Sequence, residues 1–231
     1  MTTSGVTTYT RTAQQVVEAA YRKLGIMAKA QTVDSDEVTI GIETLNLAIA
    51  ELRTKGLNLW KLQSVILPMV AGQTDYVLPQ PNKPYKVYQA WLLDNISKTK
   101  IPLNPISIFN YNTLPLSTNG TPVQIVYTPG NTDGTIKLWP APEASVVANK
   151  TLYITIEQEL QIVVDPTDTI DIPTEWYNAL IYYLASLLTN ENNIPITDRK
   201  DLDERAAEHI QFAMEAGQEN ASLFFQPMLI R

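Results

Sequence analysis

The chain has 231 residues, a formal net charge of -7 and no cysteine. The lack of cysteine excludes disulfides, a thiol nucleophile and thiolate metal sites. The 24 acidic residues against 17 basic ones argue against a protein that binds nucleic acid by neutralising phosphates. No apolar run approaches the roughly 18 residues of a membrane span and no signal peptide is recognisable, so we expect a soluble protein without membrane contact.

The N-terminal part of the chain predicts a polar lead and two helices. Residues 1–11 are rich in threonine and show no periodicity, which is typical of a flexible segment. A capping box at Thr12 and Gln15 predicts the start of the first helix, and Gly25 predicts its end. Asp34 and Glu37 predict the start of the second. Apolar residues recur at helical spacing in both, at Val17, Ala20, Tyr21 and Leu24 and at Val38, Ile42, Leu45, Ile49 and Leu52.

The middle of the chain predicts a β-rich domain. Of the 15 prolines, 13 lie between Pro68 and Pro173, which excludes long helices there. Residues 131–134 (NTDG) predict a hairpin turn, and residues 107–114 predict one short helix. We therefore expect an antiparallel β-sandwich or open barrel over residues 63–165. Short alternating runs predict strands at residues 64–69, 75–78, 85–93, 123–127, 135–139 and 151–162.

The stretch 165–188 predicts a turn from strand to helix, and we interpret Asp171, Pro173 and Trp176 as its structural pivot. Asp171 and Thr174 flank Pro173, and short polar residues beside a proline are typical of a helix start. The following residues are apolar on almost every side, so this helix needs partners on two sides. Asp198 or Thr197 is expected to cap a fourth helix. Its inward residues would be Leu202, Ala206, Ile210, Ala213 and Met214.

These elements predict an α+β protein of discontinuous organisation. Residues 12–62 and 166–218 would form one helical bundle from both chain ends, because this arrangement buries all four apolar stripes. The β domain would then be an insert. The final segment, residues 219–231, is an apolar tail that either folds back over its own domain or docks on another protein by strand addition or groove insertion. Its candidate docking residues are Leu223, Phe224, Phe225, Met228, Leu229 and Ile230.

Residues that could carry chemistry are few. Asp165, Asp168 and Asp171 lack the spacing of a calcium loop, so turn formation and helix capping explain them better. His209 is the only histidine and lies beside the inward Ile210, which favours a residue at the edge of the core. No nucleotide-binding or nucleophile-elbow motif occurs. We expect no enzymatic activity, no metal and no cofactor.

Aromatic residues of the β region allow two interpretations. They could form a sugar-binding platform, or they could belong to the core and to subunit interfaces. The residues concerned are Tyr76, Tyr85, Tyr88, Trp91, Tyr111, Tyr127 and Trp139.

Four stretches, in this order, resemble the head-to-tail adaptor proteins of short-tailed bacteriophages, the neck proteins also called tail tubular protein A or tail accessory factors. They are residues 19–25 (AAYRKLG), 72–79 (GQTDYVLP), 138–142 (LWPAP) and 168–176 (DTIDIPTEW).

The resemblance implies a structural virion protein. It implies a helical bundle with a β insert, assembled as a ring, usually dodecameric, beneath the portal at the capsid vertex. The next tail component, or nozzle, would attach below, and the genome would leave through the ring. A net acidic lumen would repel DNA phosphates, so we expect DNA to pass without specific binding. The alternative is a carbohydrate-binding or tail accessory module that uses the β insert.

Overall fold

The computed structural model describes residue 5 and residues 9–28, 31–55, 61–79, 83–115 and 118–216. Within this part of the chain the fold is mixed α+β, with six helices and nine strands. The chain divides into two compact units. The helical unit comprises Met1–Leu59 with Leu160–Arg231, and the β unit comprises Trp60–Glu159. The predicted docking tail, residues 219–231, lies outside the described residues.

The helical unit contains four long helices. The predicted capping box begins the first of them, because Thr12 Oγ1 accepts from Gln15 N at 3.3 Å and Gln15 Oε1 accepts from Thr12 N at 3.2 Å. Gly25 follows this helix with a φ of +75°, as predicted. The helices are α1 (Ala13–Lys23), α2 (Ser35–Lys55), α5 (Trp176–Leu188) and α6 (Ile196–Ala216).

Helices α1 and α2 approach closely at Gly41. A Cβ atom at this position would overlap Val17 Cγ1 and would lie 3.1 Å from Val17 Cγ2. All five predicted inward residues of α2 are buried, which confirms the predicted stripe. In α6, Leu202, Ala206, Ile210 and Ala213 are buried as predicted.

The β unit is built on one seven-stranded sheet whose strand order is β1-β9-β3-β4-β6-β7-β2. The neighbouring strands are antiparallel except β4 and β6, which pair in parallel at Asn104–Gln124 and Pro105–Ile125. The expectation of a purely antiparallel domain is therefore wrong at this pair. The strands are β1 (Leu62–Leu67), β2 (Asp75–Pro79), β3 (Pro84–Asp94), β4 (Lys100–Pro105), β6 (Gln124–Pro129), β7 (Asp133–Trp139) and β9 (Lys150–Gln158).

Smaller elements complete the β unit. The predicted short helix is confirmed as α3 (Ile108–Tyr111), which Ser107 caps by accepting from Asn110 N at 3.2 Å. A second short helix, α4 (Ala144–Asn149), precedes β9. The strands β5 (Asn119–Gly120) and β8 (Ala141–Pro142) form a separate two-stranded parallel pair.

The sheet is curled and encloses one apolar core. Buried side chains from all seven strands belong to a single cluster. Alternate residues of a strand point to the same face, so on a curved sheet they meet on its inner side. The predicted barrel-like character therefore holds, as one curled sheet rather than two stacked ones. The cluster comprises Leu67, Tyr76, Ala90, Leu92, Leu103, Ile125, Ile136, Leu138, Leu152, Ile154 and Ile156.

Candidate functional site

Helix α5 lies at the centre of the helical unit and contacts α1, α2 and α6. Its apolar residues cover almost every side, and eight of its 13 residues are buried. Trp176 at its first position is 6% exposed, and Leu184 and Leu188 are fully buried. This placement agrees with the prediction that the helix is buried on two sides.

The start of α5 differs from the prediction. The residue before the helix, Glu175, has helical dihedral angles and provides no side-chain cap. Thr174 instead accepts a hydrogen bond from Tyr9 N through its Oγ1 at 3.4 Å. The helix therefore begins without a side-chain cap from Glu175, and the Thr174 hydroxyl bonds to Tyr9 rather than to the first turn of α5. Asp171 and Pro173 lie half-buried in the irregular segment that leads to Trp176.

The segment before α5 is joined to the start of α1 by backbone hydrogen bonds. Ala13 N donates to Asp168 O at 2.8 Å, and Gln14 N donates to Pro166 O at 3.0 Å. Thr12 forms an isolated antiparallel bridge with Thr169. The N–H groups of a first helical turn have no partner within the helix, so these carbonyls satisfy two of them. Sequence patterns gave no sign of this junction, since its two sides are more than 150 residues apart.

Tyr177 extends the junction toward the N-terminus. Its hydroxyl accepts from Arg11 N at 3.1 Å, and its ring meets the ring of Tyr9 edge to face, with centroids 6.1 Å apart. Tyr9 and Arg11 belong to the predicted flexible lead, whose residues 1–4 and 6–8 lie outside the described part of the chain.

Asp168 of the acidic triplet before α5 serves the turn, as predicted. Its Oδ2 accepts from Asp165 N at 2.9 Å and from Val164 N at 3.0 Å. These two N–H groups lower the pKa of Asp168 because they stabilise the charged carboxylate. Within the described residues no group of three or more metal-ligating side chains occurs.

The polar contacts of α5 lie on its flanks. Tyr183 donates to Glu51 of α2, and Ser186 donates to Asp203 of α6. Burial raises the pKa of Tyr183 to about 12, and the hydrogen bond and charge of Glu51 contribute. His209 stacks on the ring of Tyr182 with centroids 4.8 Å apart and is half-buried. This agrees with its predicted place at the edge of the core.

The start of α6 also differs from the prediction. The helix begins at Ile196, so Thr197 and Asp198 lie in its first turn rather than at the cap. Asp198 still lies where the helix dipole favours a negative charge. Farther along, Asp201 pairs with Arg205 one turn later at 2.9 Å. Asp198 and Asp201 can therefore both stabilise the helix.

Charge is unequally divided between the two units. The helical unit carries 18 acidic and 10 basic residues, a formal charge of -8, whereas the β unit carries 6 acidic and 7 basic residues, a formal charge of +1. The acidic excess of the chain therefore belongs to the helical unit. A surface of this sign repels the phosphates of DNA.

Three of the aromatic residues named for a sugar-binding platform are buried or stacked on other rings. Tyr76 and Tyr111 are buried. Trp91 stacks in parallel on its cross-strand neighbour Tyr153, with centroids 5.6 Å apart, and the ammonium group of Lys100 lies 5.3 Å from the Trp91 ring centroid. Tyr153 therefore covers one face of the Trp91 ring, and the charge of Lys100 lies close to the same ring.

The strand β9 also holds a buried carboxylate that the sequence did not indicate. Glu157 is 2% exposed and accepts from Tyr88 Oη at 2.8 Å. Burial raises the pKa of Tyr88 to about 12, and the bond to Glu157 adds to this.

The described helices include none that is both long and apolar enough to span a membrane.

A family model described as SU10 adaptor protein matches residues 11–222. The match includes every described helix and strand from α1 to α6. A search of curated proteins gave no match. The predicted resemblance to phage head-to-tail adaptors is thus confirmed at the level of a phage structural adaptor and virion component, while the short-tailed subgroup stays a prediction. Because the model matches far more than half of the sequence, the chain belongs to the SU10 adaptor protein family.

Proposed function

We propose that the chain forms a ring, with twelve copies, that joins the portal at the capsid vertex to the downstream tail or nozzle protein. The observation that carries this proposal is membership of an adaptor family over residues 11–222. The ring would continue the channel through which the genome leaves, and the protein would be assembled in the host cytoplasm. It would act as a structural component without catalysis, metal or cofactor.

We propose that the ring body is a helical bundle from both chain ends. Two features support it. Helix α5 contacts α1, α2 and α6, and the hydrogen bonds from Ala13 and Gln14 to residues 166–168 tie the N-terminal helices to the segment before α5. In this arrangement Asp171, Pro173 and Trp176 keep their proposed role as pivot at the entry to the central helix.

The acidic helical unit suits a surface that DNA passes without binding. A formal charge of -8 per copy, repeated around a ring, would repel phosphates and leave the genome free to slide. Electrophoretic shift assays should therefore show no appreciable binding to duplex DNA at moderate salt. Tight binding at the same salt concentration would refute this part of the proposal.

The apolar tail is the proposed contact with the portal, through Leu223, Phe224, Phe225, Met228, Leu229 and Ile230. Truncation after Gly217 should leave the helical unit folded and abolish the co-sedimentation of the protein with portal rings. Retained co-sedimentation would exclude this role of the tail.

The oligomeric state tests the proposal as a whole. Light scattering or native mass measurement should detect a ring, either from the protein alone or after addition of portal, and electron microscopy of capsid vertices should locate it. A protein that stays monomeric in both conditions would contradict the proposal. A sugar-binding accessory module is the competing function, and specific binding on a glycan array would support it.

A further inference from the structure

In the part of the chain that the structure describes, the curled sheet does not close into a barrel. Its edge strands are β1, which pairs only with β9, and β2, which pairs only with β7. Residues 68–74 connect the two edge strands, yet no ladder joins β1 to β2 in the described part of the chain. We call the open gap between them the seam. Edge strands present unpaired N–H and C=O groups, so the seam offers backbone partners that a further strand could use.

The seam contains an apolar groove of about 280 Å³. Its walls come from β1, β2 and β9, and Gln63 and Gln158 are the polar residues among them. None of the residues that line the groove is charged. The apolar lining residues include Val65, Leu67, Leu78, Ile154 and Ile156. An occupant should therefore be extended, apolar and uncharged.

One segment of the chain outside the described residues has this chemistry. Residues 217–231 form the longest such segment, and residues 223–230 (LFFQPMLI) contain six large apolar side chains and no charge. The other segments outside the description have at most five residues. In an extended chain Leu223 and Phe225 point to one side, so both could enter the groove together.

We propose that, in the absence of the portal, the tail of one copy adds as a strand to the seam of a second copy. The inference rests on the proposed self-association of the chain, because each copy then supplies one tail and one seam, which is a heterologous contact. Residues 217–222 give a reach of about 20 Å when extended. The contact covers an apolar tail that would otherwise promote aggregation, and the portal takes the tail at assembly.

A cross-link between two single-cysteine variants tests the proposal directly. The chain has no cysteine, so every disulfide would come from the introduced residues. Val65→Cys places a thiol in the seam and Phe225→Cys places one in the tail. Mild oxidation of a mixture, with one variant carrying an N-terminal mass tag, should give a mixed dimer, because disulfides form only between Cβ atoms that come close.

The matched control is Val77→Cys. Val77 lies on β2 but is 57% exposed and does not line the groove. Its yield of mixed dimer with Phe225→Cys should be at least about fivefold lower than that of Val65→Cys. Equal yields would overturn the proposal.

Hydrogen exchange provides a second readout that needs no substitution in the sheet. Truncation after Gly217 should speed exchange of backbone amides in β1 and β2 by about tenfold or more, and leave β3 and β9 unchanged, because only the edge strands lose a partner. Unchanged exchange in β1 and β2 would also overturn the proposal. If both tests fail while rings still form, the seam contact alone is wrong. If the protein stays monomeric with and without portal, the proposed function falls as well.

Discussion

The substitution Gly41→Ala tests the close approach of α1 and α2. In an exposed helix this change stabilises by about 1 kcal/mol, because alanine has the higher helix propensity. At Gly41 the new methyl group would overlap Val17 Cγ1, with Val17 Cβ only 3.3 Å away. Val17 is fully buried, and a β-branched residue in a helix has one preferred rotamer, so it cannot turn aside easily. Overpacking of this kind costs about 1–3 kcal/mol.

We expect the steric effect to exceed the propensity gain, with a net loss of about 1 kcal/mol in the free energy of unfolding. Urea denaturation would measure it, and the melting temperature should fall by about 2–4 °C. The double variant with Val17→Ala should show favourable coupling between the two positions, because the second change makes room for the first. Ala50→Gly, on an exposed position of α2, is the control for propensity. Stabilisation by Gly41→Ala would refute the reasoning.

Two further predictions concern α5. Trp176→Ala should cost about 3–5 kcal/mol in urea denaturation, because the indole is 6% exposed; a change too small to resolve would place the ring at the surface. In the folded protein the pKa of Tyr183 is about 12, against an ordinary value of 10.0. The contribution of protonated Tyr183 to the stability of the fold is therefore fully present below pH 10 and is lost as pH rises toward 12. The stability difference between the wild type and Tyr183→Phe, below about 1 kcal/mol because the pair is partly exposed, should shrink over this range; a constant difference would contradict the assignment.

The helices could be predicted because their signals are local. The capping box at Thr12 and the apolar stripe of α2 depend on residues one or two turns apart. The cap of α5 could not be predicted in this way. Thr174 had the right chemistry for a cap, but its hydroxyl bonds to Tyr9, 165 residues away in sequence. Because Tyr9 is distant in sequence from Thr174, rules based on the spacing of nearby residues could not detect this bond.

The sheet shows the same division. The hairpin between β6 and β7 was predicted from residues 131–134, and Gly130 N donates to Asp133 O at 2.7 Å in its turn. Strand β4 was not predicted, and it contains Pro102 and Pro105, a residue type that disfavours strands. β4 pairs with β6 only at Asn104 and Pro105. At Pro102 its only neighbouring strand is β3, so the missing N–H of proline removes few inter-strand hydrogen bonds.

The parallel pairing of β4 with β6 also could not be predicted from the sequence. The connection between them contains α3 and β5, and a connection of this length permits either direction. Nor could alternation reveal that β1 and β2, consecutive in the chain, lie at opposite ends of the sheet. The seam therefore follows from the sheet topology, which the order of the strands in the sequence does not reveal.

The structure shows how the net charge is divided along the fold, which the total from the sequence does not. The total of -7 gave the prediction that DNA does not bind, yet it says nothing of where the acidic residues lie. Once the chain ends are grouped in one unit, that unit holds -8 and the β unit is nearly neutral. Like-charged units repel, so a ring whose copies met through helical units alone would be opposed by electrostatics at low salt. An uncharged contact such as the seam with an apolar tail avoids this repulsion. Self-association through it should therefore depend little on salt, whereas association through the acidic helices should strengthen as salt rises.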